Sequence, residues 1–193
     1  GGKLYVYTEV VFPDTKNLRV DGLILVVKGG VIKNAAILEM KNGSATLDKE
    51  QIGNYLQIAK AFEIPKMITV SNELVLEPTQ SPLGTKKTPK GVELYHLSWH
   101  LIRTLARIRL FENDKNIQDE DQVRIMNEVV RYLENEKSGV GRGGFTQMKS
   151  GWKNVTEKVT NQATLRKTDD DLLETIDSWI QEERDLALKL SCE

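Results

Sequence analysis

Residues 18–43 read LRVDGLILVVKGGVIKNAAILEMKNG, and this stretch decides the fold. Residues 18–27 are predicted to form a strand. In the part that follows Asp21, the side chains on both faces of this strand are apolar, which is typical of a central strand buried on two faces. Lys28-Gly29-Gly30 has the composition of a turn, and residues 31–40 again favour extended structure. The stretch therefore predicts two neighbouring strands with acidic residues near their ends.

The flanking sequence continues this pattern on both sides. Residues 4–12 are β-branched and aromatic, which predicts a first strand, and residues 13–17 have turn chemistry. Residues 48–62 predict a helix, with Ser44 or Thr46 as its cap. Further predicted elements are a strand over 66–71, a long loop over 77–91 and a strand over 92–97. A helix capped by Ser98 is then predicted to run to Leu110. Its predicted inward side chains are Leu101, Leu105 and Ile108.

The remainder of the chain is predicted to be helical. A boundary near residues 111–113 separates a core, residues 1–111, from a helical region, residues 112–193. A glycine-rich link over residues 138–144 divides the helices of this second region. Their predicted inner positions are Val123, Met126, Val130 and Leu133 in a helix over 113–136, then Trp152, Val155 and Val159, then Leu172, Ile176, Trp179 and Ile180 after a Thr168–Asp171 capping box.

Composition narrows the function classes. The 193 residues are 39% hydrophobic and 28% charged, with a net charge of −1, which is typical of a globular protein. Binding to nucleic acid through bulk positive charge is therefore not expected, so any such contact needs a local site. A lone cysteine, Cys192, and the absence of a long apolar run predict a soluble cytoplasmic protein.

Three charged side chains stand out against their apolar surroundings. Asp21 lies inside an apolar strand, where an unpaired carboxylate costs several kcal/mol of desolvation. Glu39 and Lys41 end the next strand and, being two residues apart, point to the same face. Taken alone, this Glu-x-Lys pair favours a cross-strand salt bridge.

The order of these residues along the chain favours a chemical role instead. Two carboxylates on neighbouring strands can converge on one divalent cation, and a lysine two residues further on can hold a water beside it. A helix follows at once and carries Gln51 and Tyr55, which are four residues apart and share one face. Such a set is suited to metal-assisted hydrolysis of a phosphodiester.

At this point the sequence resembles the PD-(D/E)XK nuclease superfamily, and within it the RecB-type branch. The resemblance rests on Val20-Asp21-Gly22, on Ile37-Leu38-Glu39-Met40-Lys41-Asn42-Gly43, and on Gln51-Ile52-Gly53-Asn54-Tyr55, which matches the Gln-x-x-x-Tyr motif of that branch. It covers roughly residues 4–111 and leaves the helical region outside. It implies an α/β, restriction-endonuclease-like core, in which helices flank a mixed central sheet, with a C-terminal helical appendage.

The resemblance also implies roles for individual residues. Asp21 and Glu39 are expected to be metal ligands together with the carbonyl of Met40, and the metal is expected to be Mg²⁺, with Mn²⁺ as a substitute. Lys41 is expected to position or activate the attacking water. Gln51 is expected to orient Lys41 or reach the DNA backbone, and Tyr55 to support Gln51.

Two departures from the family pattern leave alternatives open. The family core normally opens with a helix that often carries a glutamate, whereas this sequence starts in a strand, so Glu9 is a candidate substitute for that acidic group. Pro13-Asp14 also fits the literal family name, but its position in a turn makes Asp21 the better candidate.

Other polar residues are weaker candidates. Arg103 and Arg107 share a helix face that could meet phosphates, and Lys86, Lys87 and Lys90 form a basic cluster in the long loop. His96 and His100 are interpreted as surface or capping histidines. The link around Arg142 lacks the ending of a phosphate-binding loop.

The sequence thus predicts a metal-dependent nuclease that hydrolyses DNA, with RNA left open as a substrate. The alternative is a catalytically silent module of the same fold that binds DNA or a protein partner. A homodimer, or attachment to an upstream domain of a longer protein, is compatible with either interpretation.

Overall fold

The structure is a computed structural model that describes residues 2–15, 18–84, 87–111, 119–140, 145 and 148–191. Within these residues the chain forms an α/β fold with one mixed sheet and flanking helices. The elements are β1 (Lys3–Val11), β2 (Arg19–Lys28), β3 (Val31–Met40), α1 (Lys49–Ala61), β4 (Lys66–Ser71), β5 (Glu93–Ser98), α2 (Trp99–Phe111), α3 (Glu120–Glu134), a 3₁₀ turn (Glu136–Ser138), α4 (Gly151–Thr160) and α5 (Asp170–Leu190).

The five strands lie in the sheet in sequence order. β1, β2 and β3 are antiparallel to one another, whereas β4 and β5 run parallel to β3. The change of direction follows from the connections, since Gly29-Gly30 joins β2 to β3 in a tight turn and α1 carries the chain back to begin β4. Both glycines have positive φ angles, 62° and 76°, which a two-residue hairpin turn of this kind needs.

The core lies where α1 packs against the sheet. Ile37 of β3 and Met67 of β4 are completely buried, and Ile52 and Ala59 of α1 are buried against the same cluster. The predicted cap of α1 is wrong, because the N-cap is Asp48, whose side chain accepts a hydrogen bond from Gln51 N at 2.6 Å. Asp48 is in the extended conformation next to the first helical residue, where a carboxylate reaches the free amides directly.

Helix α2 begins as the sequence predicts. Ser98 Oγ accepts a hydrogen bond from Leu101 N at 3.0 Å, so the predicted cap is confirmed. The predicted inner face is partly wrong, because the Leu105 side chain is 51% exposed. The buried positions are His100 and Thr104, four residues apart, so the inward face is rotated by about one residue from the apolar stripe.

In the helical region, the buried face of α3 is apolar, whereas the buried face of α5 is largely polar. In α3, Val130 and Leu133 are buried as predicted. In α5 the predicted stripe is largely wrong, because Ile176 and Trp179 are 45% and 57% exposed. The α5 side chains that are buried are Thr175, Ser178, Asp185 and Leu188.

Local contacts explain the orientation of α5. Asp185 Oδ1 lies 2.9 Å from His100 Nδ1 of α2, which holds the polar face inward, while Trp179 stacks on Trp152 of α4 at the surface with ring centroids 6.4 Å apart. The predicted Thr168–Asp171 capping box is also wrong, because the N-cap is Asp169 and its side chain makes no capping hydrogen bond.

Several predictions fall outside the described residues, namely the start of the helix predicted from residue 113, the link around Arg142, Lys86 and Cys192. No helix in the described part of the chain has the length and apolar character that crossing a bilayer requires.

The Ser98 cap is testable through stability. We expect Ser98→Ala to lower the free energy of unfolding by about 0.5–2 kcal/mol, because a free amide of α2 loses its acceptor. Ser150→Ala is the matched control, since Ser150 precedes α4 without a capping hydrogen bond. Urea unfolding of the two variants measures the difference, and equal midpoints would contradict the assignment of the cap.

Candidate active site

The pairing of β2 with β3 brings Asp21 and Glu39 together. Gly22 is aligned with Leu38, so the next step of the antiparallel register sets Asp21 opposite Glu39 on one face. Asp21 Oδ2 also accepts a hydrogen bond from Met40 N at 2.6 Å, which fixes the carboxylate beside the end of β3. The two acidic residues that the sequence singled out are therefore neighbours across the strands.

Glu39 is the most unusual residue of this cluster. It is only 1% exposed, although it carries a carboxylate. Lys41 Nζ lies 2.6 Å from its Oε1, in an ionic contact without good hydrogen-bond alignment, and neither carboxylate oxygen has a hydrogen-bond donor among the described residues. The ammonium of Lys41 offsets the charge of this buried carboxylate, but without a well-aligned hydrogen bond the cost of its desolvation is only partly compensated.

The electrostatics of the cluster follow from burial and proximity. Burial raises the pKa of Glu39 above its ordinary value, and the Asp21 carboxylate raises it further, against the opposing effect of Lys41. Contact with Glu39 raises the pKa of Lys41, which therefore remains an ammonium at neutral pH. Burial raises the pKa of Tyr55, and the charges of Glu39 and Asp21 raise it further.

Gln51 and Tyr55 form a hydrogen-bonded pair on α1. Gln51 Nε2 donates to the Tyr55 hydroxyl at 3.0 Å, and that hydroxyl donates to the Arg19 carbonyl of β2 at 2.6 Å. Tyr55 is therefore in direct contact with Gln51. These two hydrogen bonds connect α1 to β2, the strand that carries Asp21. The amide of Gln51 contacts Tyr55 and not Lys41, which was one of its two expected partners.

The cluster opens onto a cleft of about 380 Å³. Asp21 and Lys41 line it on the sheet side, together with residues of β1. The opposite wall comes from the helical region and includes Tyr132 and Leu133 of α3 and Val140. No sequence pattern predicts this wall, because nothing in the spacing of α3 shows where the helix packs.

Trp99 is a further residue of the cleft that the sequence patterns did not predict. It starts α2, lines the cleft, and donates a hydrogen bond from Nε1 to the Lys41 carbonyl at 2.7 Å. The end of β3 is also tied to the helical region, because Gly43 N donates to the Gly139 carbonyl at 2.9 Å. These contacts fix the backbone that presents Lys41 to the cleft.

Glu9 lies at the rim of the same cleft. The β1–β2 register sets it opposite Asp21, but its φ of 55° is a left-handed conformation that a glutamate rarely adopts. Its carboxylate lies 2.6 Å from Arg19 Nε. The alternative acidic residue, Asp14, is exposed in the turn after β1 and is not among the residues that line the cleft.

The predicted phosphate-binding arginines lie away from the cleft walls. Neither Arg103 nor Arg107 lines the cleft, and Arg107 Nε lies 3.3 Å from Glu134. Lys87 and Lys90 are exposed in the loop before β5.

The interpretation of the two histidines as surface or capping residues is wrong. His96 is completely buried, with Nε2 3.0 Å from the Glu73 carbonyl and Nδ1 3.0 Å from Thr69 Oγ1, and burial lowers its pKa. His100 is 3% exposed beside Asp185, and burial likewise lowers its pKa. Both histidines are therefore part of the packed interior.

A metal at this site would need a small set of oxygen ligands. Within the described ranges, His, Cys, Asp and Glu do not form a group of three or more that could hold a metal ion. The residues present nevertheless fit a hard cation, because the buried oxygens of Glu39 lack hydrogen-bond donors and the Asp21 carboxylate lies next to them. The carbonyl of Met40 belongs to the same strand end.

Comparison with family models, with curated proteins and with solved structures found no match to this chain. The function is therefore inferred from the geometry of the cleft and from the side chains at and beside it.

The raised pKa of Glu39 predicts the pH dependence of stability. Because the folded state holds the Glu39 proton more tightly than the unfolded state, the folded state loses stability as the pH rises from about 4.5 through the raised pKa. Glu39→Gln removes this titration, so we expect its melting temperature to fall less than that of the wild type between acidic and neutral pH. Differential scanning calorimetry across this range measures the difference.

The matched control is Glu157→Gln, at an exposed glutamate of α4. We expect it to reproduce the wild-type pH profile. A Glu39→Gln profile that also superimposes on the wild type would contradict the raised pKa.

Proposed function

We propose that this chain is a metal-dependent nuclease that hydrolyses DNA phosphodiester bonds, with a restriction-endonuclease-like core of the RecB type. The observation that carries the proposal is the cluster of Asp21, Glu39 and Lys41, in which Asp21 and Lys41 line the cleft and Glu39 is buried in contact with Lys41. The strand order, with two antiparallel pairings followed by parallel ones and α1 between β3 and β4, is compatible with such a core.

The acidic side chains account for metal binding in this proposal. Asp21 and Glu39, with the Met40 carbonyl, would hold Mg²⁺, and Mn²⁺ would substitute for it. When bound, the metal would neutralise charge that develops on the phosphate oxygens and lower the pKa of a water. The cation would also relieve the desolvation of the Glu39 carboxylate, which otherwise has no hydrogen-bond donor among the described residues.

Lys41 acts through its charge. Because its pKa is raised, the side chain is an ammonium rather than a free amine at neutral pH, and it cannot serve as a general base in that state. It donates hydrogen bonds to the attacking water or to a nonbridging phosphate oxygen and offsets the negative charge there. Trp99 and Tyr55 keep the strand ends that present these groups in place.

The arrangement also explains how a protein of net charge −1 can engage a polyanion. The positive charge is local, with Lys41 in the cleft and Arg19 at its rim beside Glu9. Binding then depends on a few contacts, so the affinity should fall with salt less steeply than for a strongly basic protein.

Hydrolysis tests the proposal. With Mg²⁺ or Mn²⁺, we expect the wild type to cleave plasmid or single-stranded DNA, and we expect Glu39→Gln and Lys41→Met each to lower the rate by about 100-fold or more. Lys33→Met is the matched control, because Lys33 is an exposed lysine of the same strand. Intact DNA with the wild type, or equal rates in all variants, would contradict the proposal.

Metal binding tests the site separately from turnover. Isothermal titration with Mn²⁺ should give heat for the wild type and for Asp14→Asn, and none for Asp21→Asn or Glu39→Gln. Retained binding in Asp21→Asn with loss in Asp14→Asn would reassign the acidic ligand to the turn. DNA binding without any Mn²⁺ heat would instead indicate the catalytically silent module.

A further inference from the structure

Among the residues that the structure describes, no strand pairs with the outer edge of β1. β1 is the first strand in the order β1-β2-β3-β4-β5, so only its inner side pairs with a strand, β2. An open edge of this length presents a row of backbone amides and carbonyls to which another strand can pair. Such edges are usually blunted by proline or central charges, and residues 3–11 contain neither in their middle.

The side chains of this strand are apolar and exposed on both faces. Leu4 and Val6 are 65% and 58% exposed, and on the other face Tyr5 and Tyr7 are 40% and 49% exposed. A soluble protein rarely leaves so many large apolar side chains together on one strand. The combination of free backbone groups and apolar side chains calls for a partner strand rather than a helix or a small ligand.

The sequence of β1 is complementary to itself. Its regular stretch runs from Lys3 to Glu9, where the left-handed backbone interrupts the extended conformation, and Val6 is at the middle. An antiparallel pairing of two copies about Val6 sets Lys3 opposite Glu9 at both ends. The inner pairs are then Leu4 with Thr8, Tyr5 with Tyr7, and Val6 with Val6.

This register is favoured over its neighbours. Opposite charges and aromatic pairs each contribute favourably when they face one another across antiparallel strands. A shift of the pairing centre by one residue toward Tyr7 would set Tyr5 opposite Glu9 and Lys3 opposite Val11, so both charges would face apolar side chains. Only the pairing about Val6 sets Lys3 opposite Glu9, which already contacts Arg19 of its own chain.

We propose that two copies of this chain pair antiparallel through β1, centred on Val6, so that their sheets become continuous. The consequence reaches the candidate active site, because Glu9 lines its cleft. The Glu9 side chain is 56% exposed beside Arg19, which leaves room for Lys3 of the partner subunit. Each cleft would therefore receive one positive charge at its rim from the other copy.

Reciprocal charge reversal tests this pairing. By sedimentation, the wild type should have about twice the 21.8 kDa mass of one chain. Lys3→Glu and Glu9→Lys should each favour the monomer, since every end pair would then join like charges. An equimolar mixture of the two variants should recover the dimer, because each end pair again joins opposite charges. Lys28→Glu, an exposed lysine of β2, is the matched control and should remain dimeric.

Each outcome decides the proposal. A monomeric wild type overturns it, and so does a dimer that both charge reversals leave unchanged, because another surface would then hold it. Two monomeric variants that fail to dimerise on mixing overturn the register. Concentration-dependent protection of the β1 amides from hydrogen exchange supports strand pairing independently of the variants, and none of these readouts depends on nuclease activity.

Discussion

The pairing of β2 with β3 is the constraint on which the rest of the structure depends. It sets Asp21 opposite Glu39, and because side chains alternate along a strand, a slip of one residue between the strands would place the two carboxylates on opposite faces of the sheet. The Gly29-Gly30 turn pairs Lys28 with Val31, an irregularity between Val26 and Val27 then shifts the register by one residue, and the burial of Ile37 against α1 holds the shifted register. Core packing and the position of the carboxylates are thus set by the same pairing.

The register has an energetic consequence at Glu39. The carboxylate is enclosed by the strands that present it, and Lys41 offsets its charge without giving either oxygen a well-aligned hydrogen bond. A buried carboxylate without well-aligned hydrogen bonds lowers the stability of the folded protein. Such carboxylates are common at sites that bind a ligand or a proton. The structure thus gives up some stability at the position where the proposed chemistry needs an available pair of oxygens.

The helical region completes the cleft rather than standing apart from it. Gly139 has a φ of 75°, and a Cβ there would lie 2.9 Å from Gly43 N, so this close approach requires glycine. The carbonyl of Gly139 accepts hydrogen bonds from Gly43 N and from Asn72 Nδ2, which links the ends of β3 and β4 to the segment after α3. Tyr132 and Leu133 of α3 are thereby held across from Asp21.

Local sequence patterns predicted the strands, α1 and the placement of Asp21 and Glu39 on neighbouring strands, because alternation and short spacing are properties of neighbouring residues. They failed where the deciding partner is distant in the chain. Asp185 turns inward because it meets His100, and the stripe of α5 containing Trp179 turns outward as a result. For the same reason, the spacing within α3 could not show that Tyr132 forms a wall of the cleft.

Anomalous diffraction from crystals grown with Mn²⁺ tests most directly whether the buried carboxylate and its neighbour form one cation site. We expect a peak within coordination distance of the Asp21 and Glu39 carboxylates, beside Lys41. A peak elsewhere, or none while both carboxylates remain ordered as described, would contradict it.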